Sequence, residues 1–366
     1  MDTISKKTQS LCNICFEEIP AIVVEENGQI YIKKRCLEHG EFNGLIEKDS
    51  DFYRWFIKIK PKNHSHFTSL LIPLTYRCNM DCEYCFSRFP ERKDLTIEEI
   101  INVAEDFKGE DIELSGGEPT IRDDLKSIIS HIKRLGKHIM LMTNGLKLSN
   151  LTYLQALKGA GLDNVMFSLD SLKTAFYDSM KKRVSDKESI LDLKKNALAN
   201  LGSERIPTIL TSTIYPGLND EEIKDLFIFA LKNNHLINQL RLRSYARVGS
   251  DRSKDKNGYL LSELFTLFSE QMDIDKEILK TRFLTGRMGR SLIFNIRGHL
   301  SGEKFTSYHE SDAHKNVQEL NVKIVGWPTI ENIDLQELKT PAAIYLPGRK
   351  KLFKIFHGMI LDENPR

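Results

Sequence analysis

Cysteine is scarce in this 366-residue chain: there are six, and none lies beyond position 85. They fall into two groups, 12/15/36 and 78/82/85. A disulfide framework would spread its cysteines through the fold, so this grouping argues against one and for metal binding in a reducing compartment. Long hydrophobic runs are missing too. Nothing approaches the roughly 20 apolar residues that span a bilayer. The opening MDTISKKTQS lacks the apolar segment of a signal peptide. Neither sign of charge dominates, with Lys+Arg 53 against Asp+Glu 51, which argues against nucleic acid as the main partner. No internal repeat or low-complexity tract is visible. These absences leave a cytoplasmic enzyme or binding protein with a core of ordinary size, since 40% of the residues are hydrophobic.

What is present divides the chain into four stretches. Residues 1–45 form a small cysteine-bearing module in which IVVEENGQIYIKK predicts a hairpin around Asn27–Gly28. Residues 46–67 are a connector containing the aromatic cluster DFYRWF. From 68 to 250 short apolar runs (SLLIPLTY, DIELSG, HIMLMTNG, NVMFSLD, IPTILTSTI, INQLRLRSY) alternate with helical stretches. One of these, TIEEIINVAEDF, follows an N-capping Thr96. Six such βα repeats predict an α/β fold, a (βα)6 partial TIM barrel with right-handed crossovers. Residues 251–366 break the alternation and read as an appended α+β extension that closes one side of the barrel and shapes the substrate pocket. Active sites of such sheets lie at the carboxyl ends of the strands.

That rim is where YRCNMDCEYCF falls, with Cys78, Cys82 and Cys85 at C-x3-C-x2-C spacing after the first strand. Thiolates are soft ligands suited to Zn²⁺ or to iron–sulfur clusters. A cubane [4Fe–4S] cluster takes four ligands. The loop supplies three, and no further cysteine follows, so one iron is open to a small molecule. S-adenosylmethionine (SAM) can chelate it through its amino and carboxylate groups. One electron then cleaves the C–S bond to a 5′-deoxyadenosyl radical, chemistry that the protein positions and shields. The competing reading is a zinc knuckle with a remote fourth ligand.

At these residues the chain resembles the radical SAM superfamily, and the match continues along the barrel. SGGEPT follows the second strand, MTNG the third and FSLDS the fourth. The resemblance implies that Gly116, Gly117, Glu118 and Pro119 hold the amino group of the SAM methionine. It sets Asn144 of Thr143–Asn144–Gly145 beside the cofactor. Ser168 and Asp170 are matched to contacts with the ribose or methionine carboxylate, and Tyr84 to the aromatic position near the adenine. Arg241 and Arg243 alternate with apolar residues on the sixth strand, share a face, and are candidate contacts for a carboxylate of substrate or SAM. The resemblance further implies an electron donor such as flavodoxin or ferredoxin.

The first module carries CNIC and CLEHG, hence Cys12, Cys15, Cys36 and His39 on both sides of the predicted hairpin. This is the signature of a tetrahedral Cys3His Zn²⁺ site, with a rubredoxin-like mononuclear iron as the alternative occupant. So small a module has little core without metal. A ribbon of this kind ahead of CNMDCEYCF resembles the branch that includes tetraether lipid synthases and methylase-like proteins. That branch implies C–C coupling or methylation at an unactivated C–H bond of a lipid or small-molecule substrate. A radical SAM maturase of a peptide or natural-product precursor is the alternative, and a non-catalytic zinc-ribbon binding protein the alternative of another class. Tyr308, His309, Glu310, Asp312 and His314 read as a polar surface loop, His64 and His66 as connector. Arg349, Lys350, Lys351 and Lys354 read as a basic turn, and Asp334 as a helix start.

Overall fold

The computed structural model describes residues 4–15, 17–60, 69–83, 85, 93–183, 188–245, 258–307, 317–326, 331–332, 334–335, 342–345 and 352–354. The chain opens with four antiparallel strands paired in chain order: β1 (Ser5–Leu11), β2 (Glu18–Glu26), β3 (Gln29–Cys36) and β4 (Gly40–Glu47). The β2–β3 turn is made by Asn27 and Gly28, with φ of 51° and 75°. A tight hairpin needs that positive-φ pair. Strand alternation puts Val23, Ile30, Ile32 and Ile46 into a small core of their own.

The stretch read as a connector contains a helix, α1 (Ser50–Lys58), capped by Asp49, whose Oδ1 accepts from the Phe52 N–H at 2.9 Å. Its aromatic residues are the reason it is helical and packed rather than loose. Tyr53 joins the core of the four-stranded sheet, while Phe52 and Phe56 one turn apart join the larger core beyond.

The large sheet is built on β5 (Ser69–Thr75), β7 (Asp111–Gly116), β8 (His138–Thr143), β9 (Asn164–Ser168), β11 (Thr208–Ile214) and β12 (Ile237–Ser244). These six are parallel neighbours in chain order. Helices α2 (Ile97–Asp106), α3 (Leu125–Arg134), α4 (Leu151–Ala160), α5 (Thr174–Met180), α6 (Ile190–Ser203) and α7 (Ile223–Lys232) connect them. Two three-residue strands, β6 (Met80–Cys82) and β10 (Lys181–Arg183), pair with each other at the rim. Thr96 and Glu99 form a reciprocal capping box on α2, the Glu99 N–H donating to Thr96 Oγ1 at 3.2 Å and the Thr96 N–H to Glu99 Oε2 at 2.8 Å.

Period-two patterning gives each barrel strand two faces. Leu70, Ile72, Ile112, Leu114, Ile139, Leu141, Leu240 and Leu242 are fully buried against the helices. The alternate residues Leu71, Glu113, Met140, Asn164, Arg241 and Arg243 are half-buried and face the lumen.

The remaining region flanks the barrel on both edges, where the sequence reading has it close one side. After α8 (Leu261–Met272) come β13 (Leu284–Arg287), β14 (Ser291–Ser301), β15 (Lys304–Ser307), β16 (Gln318–Val325), β17 (Ala342–Tyr345) and β18 (Leu352–Lys354). Strand β16 adds in parallel to β12, and β14 runs antiparallel to β16. On the other edge β17 adds in parallel to β5 and pairs with β18. The region also grips the amino-terminal sheet. Buried Glu47 accepts from the hydroxyl and N–H of Ser262, Arg290 donates to the Ile46 carbonyl at 2.8 Å, and Asn332 donates to the Leu45 carbonyl at 2.8 Å. Asp334, read from sequence as a helix start, is buried and accepts from Thr8 Oγ1 at 2.5 Å, while residues 336–340, which such a helix would need, lie outside the described residues. Residues 64, 66, 308–316 and 349–351 of the sequence reading lie outside the described residues, as does the Lys354 side chain.

Candidate active site

The path of the chain beyond β5 is pinned from several sides. Arg122 donates to the carbonyls of Leu74 at 2.7 Å and Leu95 at 2.6 Å, and Thr75 Oγ1 donates to Asp94 at 2.6 Å. Asp94 also receives Arg77 at 2.7 Å. The chain then turns into the cysteine loop. The Met80 N–H points at Cys78 Sγ at 3.4 Å, Cys82 lies on β6 opposite Lys181, and the Cys85 N–H donates to the Cys82 carbonyl at 3.4 Å. All three thiols are half-buried at the carboxyl end of the barrel. Burial pushes the Cys78 thiol up to about 12, with further rises from the charges of Glu118, Cys82 and Cys85. The charges of Cys82 and Cys85 both act on Cys78, in a setting where a bare thiolate is disfavoured. Three half-buried free thiols on one short loop are soft ligands of the type an iron–sulfur cluster takes, so the residues fit a cluster.

The double glycine abuts this loop. A Cβ on Gly116 would stand 2.1 Å from the Thr75 carbonyl oxygen, and one on Gly117 would stand 2.3 Å from that of Arg77. The Gly117 N–H donates to Thr75 O at 2.7 Å and the Glu118 N–H to Arg77 O at 2.9 Å. Side chains are therefore excluded here by the chain's own cysteine loop, and two amides are engaged in holding it. Pro119 starts a short 3₁₀ turn, Pro119–Ile121.

Glu118 is fully buried and ties two loops together. Its carboxylate accepts from Thr120 N at 3.0 Å, Thr120 Oγ1 at 2.6 Å, Thr143 Oγ1 at 2.7 Å and Asn144 N at 2.7 Å. Asn144 Nδ2 then donates to Asn79 Oδ1 at 2.8 Å and lies 3.9 Å from Cys78 Sγ. The structure thus sets Asn144 beside Cys78.

A residue that patterning missed completes the rim. Lys194 of α6 is fully buried, and its ammonium donates to the carbonyls of Asn144 and Ser168, both at 2.6 Å. It thereby clamps the ends of β8 and β9. Buried Asp170 accepts from Thr213 N at 2.7 Å, and its charge acts on Arg243. Arg241 and Arg243 both face the lumen, as alternation predicts. Tyr84 lies outside the described residues.

In the four-stranded amino-terminal module the second cysteine set converges. The ligand atoms of Cys12, Cys15, Cys36 and His39 all lie within 4.8 Å of one another. Cys36 Sγ is 3.4 Å from His39 Nδ1 and 3.9 Å from Cys15 Sγ. Backbone N–H of Glu38, then the His39 side chain, draw the Cys36 thiol below its usual range. Three soft sulfurs and one imidazole nitrogen at this spacing fit a tetrahedral Zn²⁺. Gly40, with φ 81°, makes the turn after the last ligand.

Comparison with known proteins agrees with this geometry. Residues 72–230 match the radical SAM superfamily, and residues 4–48 match the HMPTM N-terminal zinc ribbon domain. A 7,8-dihydro-6-hydroxymethylpterin dimethyltransferase of Methanocaldococcus jannaschii is 30% identical over 307 residues, 74% of this chain and 59% of that protein. A probable GTP 3′,8-cyclase of Thermococcus kodakarensis is 35% identical over 183 residues, 48% of this chain and 57% of that one. The chain thus spans less than two thirds of the length of these curated relatives. The solved structure of Streptococcus suis SuiB bound to its precursor peptide SuiA aligns with a TM-score of 0.48 and 19% identity, over 57% of this chain and 46% of that one. Among the described residues no helix is long and apolar enough to cross a membrane. A radical SAM domain works with a [4Fe–4S] cluster and SAM, and a zinc ribbon with Zn²⁺. Residues 72–230 thus form a radical SAM domain behind a zinc ribbon at residues 4–48.

Proposed function

We propose that this chain is a cytoplasmic enzyme that functionalises an unactivated C–H bond of a small-molecule substrate, by methylation or C–C coupling. Residues 68–250 are its catalytic core, 251–366 shape the substrate pocket, and 1–45 stabilise the amino-terminal edge. Cys78, Cys82 and Cys85 hold the cluster. When bound, cluster and SAM supply a 5′-deoxyadenosyl radical by one-electron cleavage of the sulfonium, with flavodoxin or ferredoxin as the reductant.

The chain's own residues place and shelter that chemistry. Gly116 and Gly117 let the cysteine loop lie against β7, while Glu118 and Lys194 lock the loops after β7, β8 and β9 into one rim. Asn144, Ser168 and Asp170 sit on that rim, where they would orient SAM, together with Tyr84. The single observation that carries the reading is a cysteine loop at the carboxyl end of a six-stranded parallel barrel, its three thiols half-buried and the charges of Cys82 and Cys85 acting on Cys78. Similarity to a pterin dimethyltransferase supports a small molecule over a lipid chain.

The test is anaerobic reconstitution with iron and sulfide, followed by SAM and dithionite, with 5′-deoxyadenosine read by chromatography. About four iron per chain and SAM-derived 5′-deoxyadenosine are expected, both lost in Cys82→Ala. A fully loaded protein that leaves SAM intact would overturn the proposal.

A further inference from the structure

The inner wall of the barrel carries a row of hydrogen-bond donors that neither cluster nor ribbon uses. In the sheet register Ser168 of β9 neighbours Thr211 of β11, Thr211 neighbours Arg241 of β12, and Arg241 neighbours Lys323 of β16. Register partners on parallel strands point to the same face, so a hydroxyl, a guanidinium and an ammonium stand side by side in the lumen. Lys323 comes from outside the six-stranded core. Its ammonium meets the thioether of Met288 at 3.8 Å, a weak acceptor for so strong a donor. Arg241 donates to Gln239 Oε1 at 2.6 Å and lies 3.9 Å from the Met166 sulfur. Thr211 Oγ1, Asn164 Oδ1 and Asn295 Oδ1 are enclosed with no hydrogen-bond partner among the described residues.

Among the described residues the charge in this chamber is unbalanced: Arg243 has Asp170 at the rim end, and Glu113 is the one carboxylate whose charge acts on Arg241 and Lys323. Burial, ahead of any neighbour, lowers the basicity of Arg241 to about 10 and of Lys323 to about 7, and raises Glu113. All are half-buried by exposure yet deep in the protein, because the surface left to them is the lumen itself. Two buried cations against one carboxylate call for a further anion, since an uncompensated buried charge is costly. The rest of the wall, with Met140, Met142 and Met166, is apolar and adaptable.

We propose that Thr211, Arg241 and Lys323 form the seat of an oxyanion on the substrate, a phosphate or a carboxylate, which fixes the substrate's apolar part beneath the cluster. This deepens the functional reading above and rests on it for the identity of the ligand as substrate. Arg241 offers a planar fork and Lys323 a point charge, the usual pairing for such groups.

The experiment is calorimetric titration of the anaerobically reconstituted protein with inorganic phosphate and, separately, with acetate, against sodium chloride at equal ionic strength. Saturable binding of one of them is expected, and which one identifies the oxyanion. Lys323→Met and Arg241→Gln each should weaken it by about tenfold or more, the size of one lost charge-assisted hydrogen bond, while Lys323→Arg should keep most of it. The cluster absorbance of each variant reports its folding. No binding beyond chloride, or equal binding by wild type and Lys323→Met with intact absorbance, overturns the assignment. Formation of 5′-deoxyadenosine is scored separately, so a failed radical assay with intact anion binding indicts the functional reading and leaves the seat standing.

Discussion

Gly117→Ala isolates the contact between the double-glycine turn and the cysteine loop. The added Cβ would lie 2.3 Å from Arg77 O, 2.8 Å from Tyr76 O and 2.9 Å from the Arg77 carbonyl carbon. All three are backbone atoms, so no side-chain rotation relieves the clash. Ordinary contact requires about 3.4 Å or more, so the Arg77 carbonyl must retreat by roughly 1 Å. Two hydrogen bonds resist, Gly117 N to Thr75 O at 2.7 Å and Glu118 N to Arg77 O at 2.9 Å. Overpacking of this sort costs about 1–3 kcal/mol, and the displaced residue directly precedes Cys78. The expected outcome is a lower melting temperature and less iron and sulfide per chain after reconstitution, with zinc in the ribbon unchanged. Gly159→Ala serves as the control: it sits inside α4, nothing lies within 4 Å of its added Cβ, and it should stabilise by about 0.5–1 kcal/mol. Wild-type iron content in Gly117→Ala would refute the argument that the glycines make room for the cluster loop.

Three further outcomes follow from the geometry. Lys194→Met strips two buried carbonyls of their donor, at about 1–3 kcal/mol each; denaturant titration should register the loss and equilibrium binding a weaker affinity for SAM, and an unaltered midpoint would contradict the clamp. Cys36→Ser should leave the purified protein without its zinc and lower the melting temperature of the whole chain; metal analysis with calorimetry decides, and an unchanged transition would rule out a structural role for the ion. The third concerns pH. Lys323 holds its proton less well in the fold, at about 7, than the roughly 10.4 of a free lysine. Between those values the unfolded chain binds more protons, so stability relative to Lys323→Met should rise from pH 7 to pH 9. Arg241 and Arg243 oppose its charge and Glu113 favours it, which makes the variant the reference. A pH-independent difference in melting temperature would show that Lys323 is not enclosed as described.

Much of the fold is legible before any coordinates because its signals are local. The six barrel strands, the Asn27–Gly28 turn and the Thr96 cap depend on residues a few positions apart. Both cysteine sets are legible for the same reason, since C-x2-C and C-x3-C-x2-C spacing specifies which side chains can converge. The residues that patterning misses act across strand neighbours. In LDLKKNALANL, Lys194 reads as the solvent face of an amphipathic helix; only the adjacency of the β8 and β9 ends turns it into a clamp. Lys323 in NVKIVG reads as the polar half of an ordinary alternation until β16 joins β12 and its outer face becomes lumen. The double glycine is legible as a motif, yet what occupies the space of its missing side chains is backbone from the preceding βα unit. DFYRWF reads as connector because its aromatic residues serve two different cores, and only the folded chain brings those cores to either side of it.

That last feature has a practical side. A helix with one aromatic ring rooted in the ribbon and two in the barrel acts as a rivet between them, and the bonds from Glu47 to Ser262 and from Asp334 to Thr8 are two more. The ribbon is then no detachable tag. Trimming it away to simplify crystallisation or expression would strand Tyr53 and the buried Asp334 carboxylate in water, and heating should melt both metal-bearing parts in a single transition.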